Sequence, residues 1–239
     1  MSSLPTEITA PDPYARACNI LAPIARNRSI IYGWLAVGFY PPDEELGQAL
    51  DSGRMVDDIY SATSWLGQDQ GYILRDLTRL AEIRPVTSGD LEADYQNLFG
   101  KSSGRVALRE GAYRWRDASC IAEDGLALNR ELRRHYRQFG LLPVEGLEEH
   151  LAVELEFLAF LCLQEALLWE QVASKTAREL RRQERIFVDD HVGRWLPELS
   201  WRIVARYPDA FYGRLARLSD TWLGLDQGPG YYSSLAGSR

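Results

Sequence analysis

The sequence predicts an all-α fold: one helical-bundle domain of about ten helices with a long central loop. Apolar residues recur at spacings of three and four along most of the chain, the period of a helix face. No strand-like alternation persists, and Val and Ile are sparse beside Leu, Ala, Glu and Arg, which favour helix. With 239 residues, 46% of them hydrophobic, the chain can bury one sizeable core. The domain is expected over 14–225, between flexible tails at 1–13 and 226–239. No fixed-period repeat points to a solenoid.

The first helix is expected over 15–39, with Ile20, Leu21, Ile24, Ile30, Ile31, Trp34, Leu35 and Val37 on one broad face. Pro23 delays or kinks it, and Pro41 and Pro42 stop it. Asp43 is placed to cap a short helix with Glu44 and Glu45 in its first turn. Gly53 separates that from a helix over 55–66. Another follows over 69–83, through Ile73, Leu74, Leu77 and Leu80, and Pro85 ends it. The segment 88–99 carries Leu91, Tyr95, Leu98 and Phe99 at helical spacing. The period fails from 100 to about 122, which predicts a long loop of the kind that is often functional. Helical spacing resumes at Leu126, Leu128, Leu132 and Tyr136 and stops near Gly140 and Pro143. Three more helices are expected over 147–169, over 175–195 with an interruption at Pro197, and over 209–223.

Composition excludes several function classes. A net charge of -7 argues against nonspecific nucleic-acid binding, which needs clustered cations, and would suit a basic partner. The start of the chain lacks the basic and apolar regions of a signal peptide. No apolar run reaches the roughly 20 residues that span a bilayer, so a soluble, cytoplasmic protein without stable membrane insertion is expected. Cys18, Cys120 and Cys162 form no CxxC pair and read as buried or idle thiols of a reducing compartment.

No enzymatic motif is legible. His135, His150 and His191 form no HExxH, and no carboxylate stands three residues before a histidine, so no metal is expected. Gly100-Lys101-Ser102 imitates the end of a P-loop, but Tyr95 stands where its first glycine belongs, and a helix precedes it instead of a strand. There is no GxSxG, and Cys120 alone in a loop is a poor nucleophile candidate. No catalytic residue and no cofactor are assigned, and the chain is expected not to be an enzyme.

The stretch from Glu148 through His150, Glu154 and Phe157 to Leu161 resembles the signature helix of the TorD/DmsD/NarJ family of redox-enzyme maturation chaperones. In that family a Pro-x-Asp-His/Tyr turn opens a Glu-Leu-x-Phe-Leu-type run. His150 and the run after it match, whereas Leu147 replaces the proline and Glu149 the aspartate. Tyr32 to Leu46, with its Tyr40-Pro41-Pro42 turn, resembles the family's first helix. Asp94 to Phe99 resembles its Tyr-x-x-Leu-Phe helix end, and Phe187 to Pro197 and Phe211 to Ala216 its C-terminal helices. The loop Leu108 to Trp115 departs: Glu110 and Tyr113 survive, but the family's prolines give way to arginines.

The resemblance implies a TorD-like fold and a chaperone role. The implied partner is the immature catalytic subunit of a molybdenum enzyme, held through its twin-arginine leader until the molybdopterin cofactor is inserted. Implied contacts with the client are Tyr95, Leu98, Phe99, Arg109, Glu110, Tyr113, Trp115, Glu149 and His150. For Tyr95, Leu98 and Phe99 the competing reading is core packing. For Glu149 and His150 it is stabilisation of a helix end. Asp190 and His191 read as a helix-surface pair. The altered loop points to a subfamily serving dehydrogenases or oxyanion reductases. A monomer or an exchangeable dimer is compatible with the sequence. The other readings are an assembly subunit retained in a redox complex and a small-molecule enzyme whose site has no readable motif.

Overall fold

The computed structural model describes residues 13–83, 87–100, 106–114 and 121–228, by backbone alone at 13–17, 67–69 and 121–124. Helices α1 (Pro13–Phe39), α2 (Glu44–Ser52), α3 (Arg54–Ala62), α4 (Gln70–Ala81), α5 (Ser88–Phe99) and α6 (Gly111–Arg114) make up the first half. Helices α7 (Ile121–Gln138), α8 (Leu151–Glu170), α9 (Ser174–Asp190), α10 (Val192–Arg206) and α11 (Phe211–Gln227) make up the second. A 3-10 turn, Ser64–Asp69, leads into α4. The described residues contain no strand, only an isolated antiparallel bridge between Arg109 and His150.

Local chemistry starts and stops these helices. The Asp43 side chain accepts a hydrogen bond from the Leu46 N–H at 2.9 Å and opens α2. Gly53 ends it at φ 81°, a left-handed conformation that a Cβ would strain. Thr87 and Asp90 form a reciprocal capping box at the start of α5, whose bounds fall where the periodicity puts them.

Helix α8 is the axis of the molecule. It buries Leu151, Leu155, Phe157, Leu158, Leu161, Cys162, Ala166 and Trp169, spread over well over half of its circumference. The longest packing seam runs between α8 and α1, with α9, α10 and α11 stacked behind. Gly213 lets α11 pass the preceding turn: a Cβ there would meet the Tyr207 carbonyl oxygen at 1.8 Å.

Several boundaries differ from the sequence reading. Pro23 lies inside α1 and Pro197 inside α10. The break falls at His191 instead, at φ -125° and ψ -104°. Helix α7 begins at Ile121, several residues before its apolar period is legible. Asp226 and Gln227, assigned by sequence to the tail, are the last residues of α11, and Asp226 is buried. His191, read as a surface residue, is 0% exposed. Cys18 and Cys162 are buried free thiols. Pro85, Trp115 and Cys120 lie outside the described residues.

Candidate functional site

The expected site residues fall into two groups. Tyr95, Leu98 and Phe99 belong to α5. The Tyr95 and Phe99 rings meet edge-on at 5.1 Å, and both pack against Tyr212 of α11, at 5.8 and 5.1 Å. Leu98 is fully in the core. Arg109, Glu110, Tyr113, Glu149 and His150 converge instead at the N-terminal end of α8. Trp115 lies outside the described residues.

Backbone pairing causes this convergence. The Leu151 N–H donates to the Leu108 carbonyl and the Glu110 N–H to the Glu149 carbonyl, both at 3.0 Å. The loop that lacks helical period thereby folds back onto the turn before α8. Glu149 secures it further: its Oε2 accepts from the Gly111 N–H at 2.8 Å, at the start of α6. Its additional methylene over aspartate extends its reach to that donor. Arg109 donates to the Gly146 carbonyl at 2.6 Å. The Leu147 N–H donates to the Val144 carbonyl at 3.0 Å, a bond that the family's usual proline has no N–H to make.

His150 is the N-cap of α8, and its Nδ1 accepts from the Ala152 N–H at 3.2 Å. Its ring stacks on Tyr40, with centroids 6.1 Å apart and planes 14° apart. Burial, and then the Arg109 guanidinium, push its pKa down to about 4. A histidine in the unfolded chain titrates near 6.5, so the unfolded state takes up the proton first as pH falls. The contribution of His150 is therefore complete above about pH 6.5 and lost progressively down to about 4. Replacing it with Asn retains a good cap without a titrating group. Between about pH 7 and 5 the wild-type melting temperature should fall more steeply than that of His150→Asn. Parallel melting curves at those two pH values would refute this assignment.

Beneath this surface the polar groups are buried. Glu110 is 0% exposed, with Oε2 3.1 Å from His191 Nδ1 and Oε1 3.0 Å from Arg114 Nε. Glu154 accepts from Trp195 Nε1 at 3.2 Å. Burial, with Glu110 alongside, pushes the Glu154 carboxyl well above the usual carboxylate range. Tyr113 stacks on Trp195 at 5.3 Å, its hydroxyl donates to the Ala107 carbonyl at 2.8 Å, and Arg202 lies over its ring at 4.8 Å.

Tyr40 connects His150 to a groove of about 610 Å³ between the second half of α1 and helices α2 and α3. Ile30, Val37 and Trp34 give it an apolar wall, and Asp43, Glu45 and Asp58 give it acids against one cation among the described residues, Arg54. Ile30 and Val37 are exposed, and Trp34 Nε1 donates to Asp58 at 3.0 Å. On the other side of Tyr40, whose hydroxyl donates to Glu156 at 2.7 Å, lies a smaller apolar hollow of about 230 Å³. Leu142, Pro143, Val153 and Phe160 line it. The sequence reading missed this groove. The Tyr40-to-Leu46 stretch announces only a helix stop and a cap, and the acids come from two separate helices, Asp43 and Glu45 from the start of α2 and Asp58 from α3.

The sequence profile of the nitrate reductase delta subunit family matches residues 66–200, more than half of the chain. The chain belongs to that family. Among this family member's relatives is the selenate reductase assembly chaperone protein of Thauera selenatis, 38% identical over 125 residues. That match covers 50% of this chain and 61% of the relative. The perchlorate reductase assembly chaperone protein of Dechloromonas aromatica is 27% identical over 82% of this chain and 86% of its own. The chaperone protein TorD of Vibrio cholerae is 27% identical over 84% of this chain and 90% of its own. No solved structure matches the chain at comparable significance. The recognition of the TorD/DmsD/NarJ family in the Glu148–Leu161 stretch is thus borne out, as is the all-helical fold. No helix among the described residues is long and apolar enough to cross a membrane.

Proposed function

We propose that this family member is an assembly chaperone for the catalytic subunit of a molybdopterin-containing oxyanion reductase, acting in the cytoplasm before the client is exported. The observation that carries the reading is its similarity, along most of its length, to a perchlorate reductase assembly chaperone protein and to the chaperone protein TorD. Relatives named for selenate and perchlorate reductases support the oxyanion class. The altered loop and the Leu147 turn fit a client unlike that of TorD.

The groove beside Tyr40 and His150 supplies the chemistry such a task needs. A leader peptide presents two arginines followed by an apolar segment. Carboxylates at Glu45 and Asp58 offer charge-assisted hydrogen bonds to guanidinium groups. Ile30, Trp34 and Val37 offer an apolar wall to the rest. Of the residues singled out by the family resemblance, His150 meets this groove through its stack on Tyr40, and Arg109 and Glu149 lie beside His150 in sequence or pairing rather than in the groove lining. Glu110 and Leu98 are buried. Tyr95 and Phe99 form a separate patch beside α11.

Expression of the chain with a tagged reductase catalytic subunit tests the proposal. A chaperone co-purifies with the immature subunit, free of cofactor, and is absent from the mature enzyme. Stoichiometric retention in the mature enzyme overturns the reading in favour of a structural subunit.

A further inference from the structure

Between α7, the α9–α10 break and the loop over Glu110 lies a cluster of potential metal ligands that the chaperone role does not use. One carboxylate oxygen of Glu131 and one ring nitrogen each of His135 and His191 lie within 4.8 Å of one another. Glu131 and His135 stand one helical turn apart on α7, which places them on one face. His191 comes from the break between helices, whose irregular backbone turns its ring inward.

We propose that Glu131, His135 and His191 form a binding site for a divalent transition-metal ion of the zinc type. The decisive observation is the state of His191. It is 0% exposed, its Nδ1 is engaged with Glu110 Oε2 at 3.1 Å, and its buried Nε2 has no hydrogen-bond partner among the described residues. A buried ring nitrogen without a partner carries an uncompensated desolvation cost, and a metal ion relieves it. A carboxylate on the far nitrogen is the usual support of a metal-binding histidine, because it fixes the tautomer and raises the basicity of the ligand nitrogen. Two imidazoles and one carboxylate match the donor set of open zinc sites.

The ligand atoms must close by an ångström or so to reach tetrahedral spacing. Glu131 and His135 are only partly buried, so their side chains have that freedom. Arg114 Nη1 lies 3.5 Å from Glu131, but Arg114 also holds Glu110 and donates to the Asp190 carbonyl at 2.7 Å. It therefore remains anchored when Glu131 turns to the cation. A bound ion joins α7 to the α9–α10 break. Through Glu110 it also braces the segment paired with the start of α8.

The test is titration of the chelator-treated full chain with Zn²⁺ in competition with a chromogenic chelator, and with Co²⁺ by absorption spectroscopy. One equivalent should bind, Co²⁺ should show no thiolate charge-transfer band, and Zn²⁺ should raise the melting temperature. His191→Ala and His135→Gln should each weaken binding by at least ~100-fold, and Glu110→Gln by ~10- to 100-fold, as loss of a supporting shell does. If His191→Ala does not fold, His135→Gln and Glu131→Gln decide the matter from partly exposed positions. Failure to bind, equal affinity in all variants, or a thiolate band pointing to cysteines overturns the site. Each of these outcomes is read as metal affinity, whereas the chaperone reading is tested by co-purification with the client, so the failure of one is distinguishable from the failure of the other.

Discussion

Replacing Arg28 with Met is expected to lower the stability of the fold by about 3–5 kcal/mol, the cost of breaking a buried ion pair from one side. Arg28 is 0% exposed in the middle of α1. Its guanidinium reaches Asp226 at 2.6 Å, Glu165 at 2.7 Å and Glu184 at 2.5 Å. Arg181 adds a second cation, 2.9 Å from Glu184 and 3.4 Å from Asp226. Tyr32 donates to Asp226 at 2.8 Å and Trp169 to Glu165 at 2.9 Å. Four helices thus meet at one buried polyion of two arginines and three carboxylates.

Without Arg28 the three carboxylates lose the cation that joins them, and methionine fills the volume without replacing its hydrogen bonds. Burial, then Glu184, pushes the Glu165 carboxyl up to about 7 against the pull of Arg28 and Arg181. A raised carboxylate means that the folded state holds its proton longer than the unfolded one. Its stabilisation is present at low pH and is lost as pH rises through about 7. The deficit of Arg28→Met should therefore be larger at about pH 8 than at about pH 6. Urea denaturation at both pH values measures it, and the melting temperature should drop by roughly 10 °C. A loss under about 1 kcal/mol would show that the cluster contributes far less than a buried pair normally does. A chain ending at Leu225 should fail in the same way, because it lacks Asp226.

Reversing the groove charges, Glu45→Lys with Asp58→Lys, should weaken binding of a twin-arginine leader peptide by ~10- to 100-fold or more. Each charge-assisted hydrogen bond contributes about 1.5–3 kcal/mol, and about 1.4 kcal/mol is tenfold in affinity. Glu45 is largely exposed and only loosely paired with Arg54 at 3.4 Å, so its replacement leaves the fold intact. Asp58→Lys also removes the acceptor of Trp34. Asp58→Asn keeps an acceptor and separates lost charge from lost packing. For the unaltered protein the affinity should fall as salt rises, since exposed charges are screened beyond about 10 Å at 0.1 M. Titration calorimetry at two ionic strengths reads both effects. Unchanged affinity in the double variant would place recognition elsewhere, with the Tyr95, Phe99 and Tyr212 patch next in line.

The sequence by itself determined the family and most of the helices, though not α6, which it left in the central loop, nor α10, which it did not separate from α9. Helical period, the Asp43 cap and Gly53 are local, acting over three or four residues, so a linear reading finds them. The signature stretch was legible for the same reason, as most of it reports one helix. Only the tertiary structure decided which charged residues are inside. Arg28 and Asp226 are 198 positions apart, and His191 and Glu110 are 81. Nothing near either residue in sequence distinguishes it from a solvated one. The groove has the same origin, since Trp34, Glu45 and Asp58 face one another only after α1, α2 and α3 pack. Helix formation is set by neighbours along the chain. Burial of charge is set by partners across it, because a charge leaves water only where an opposite charge is already held.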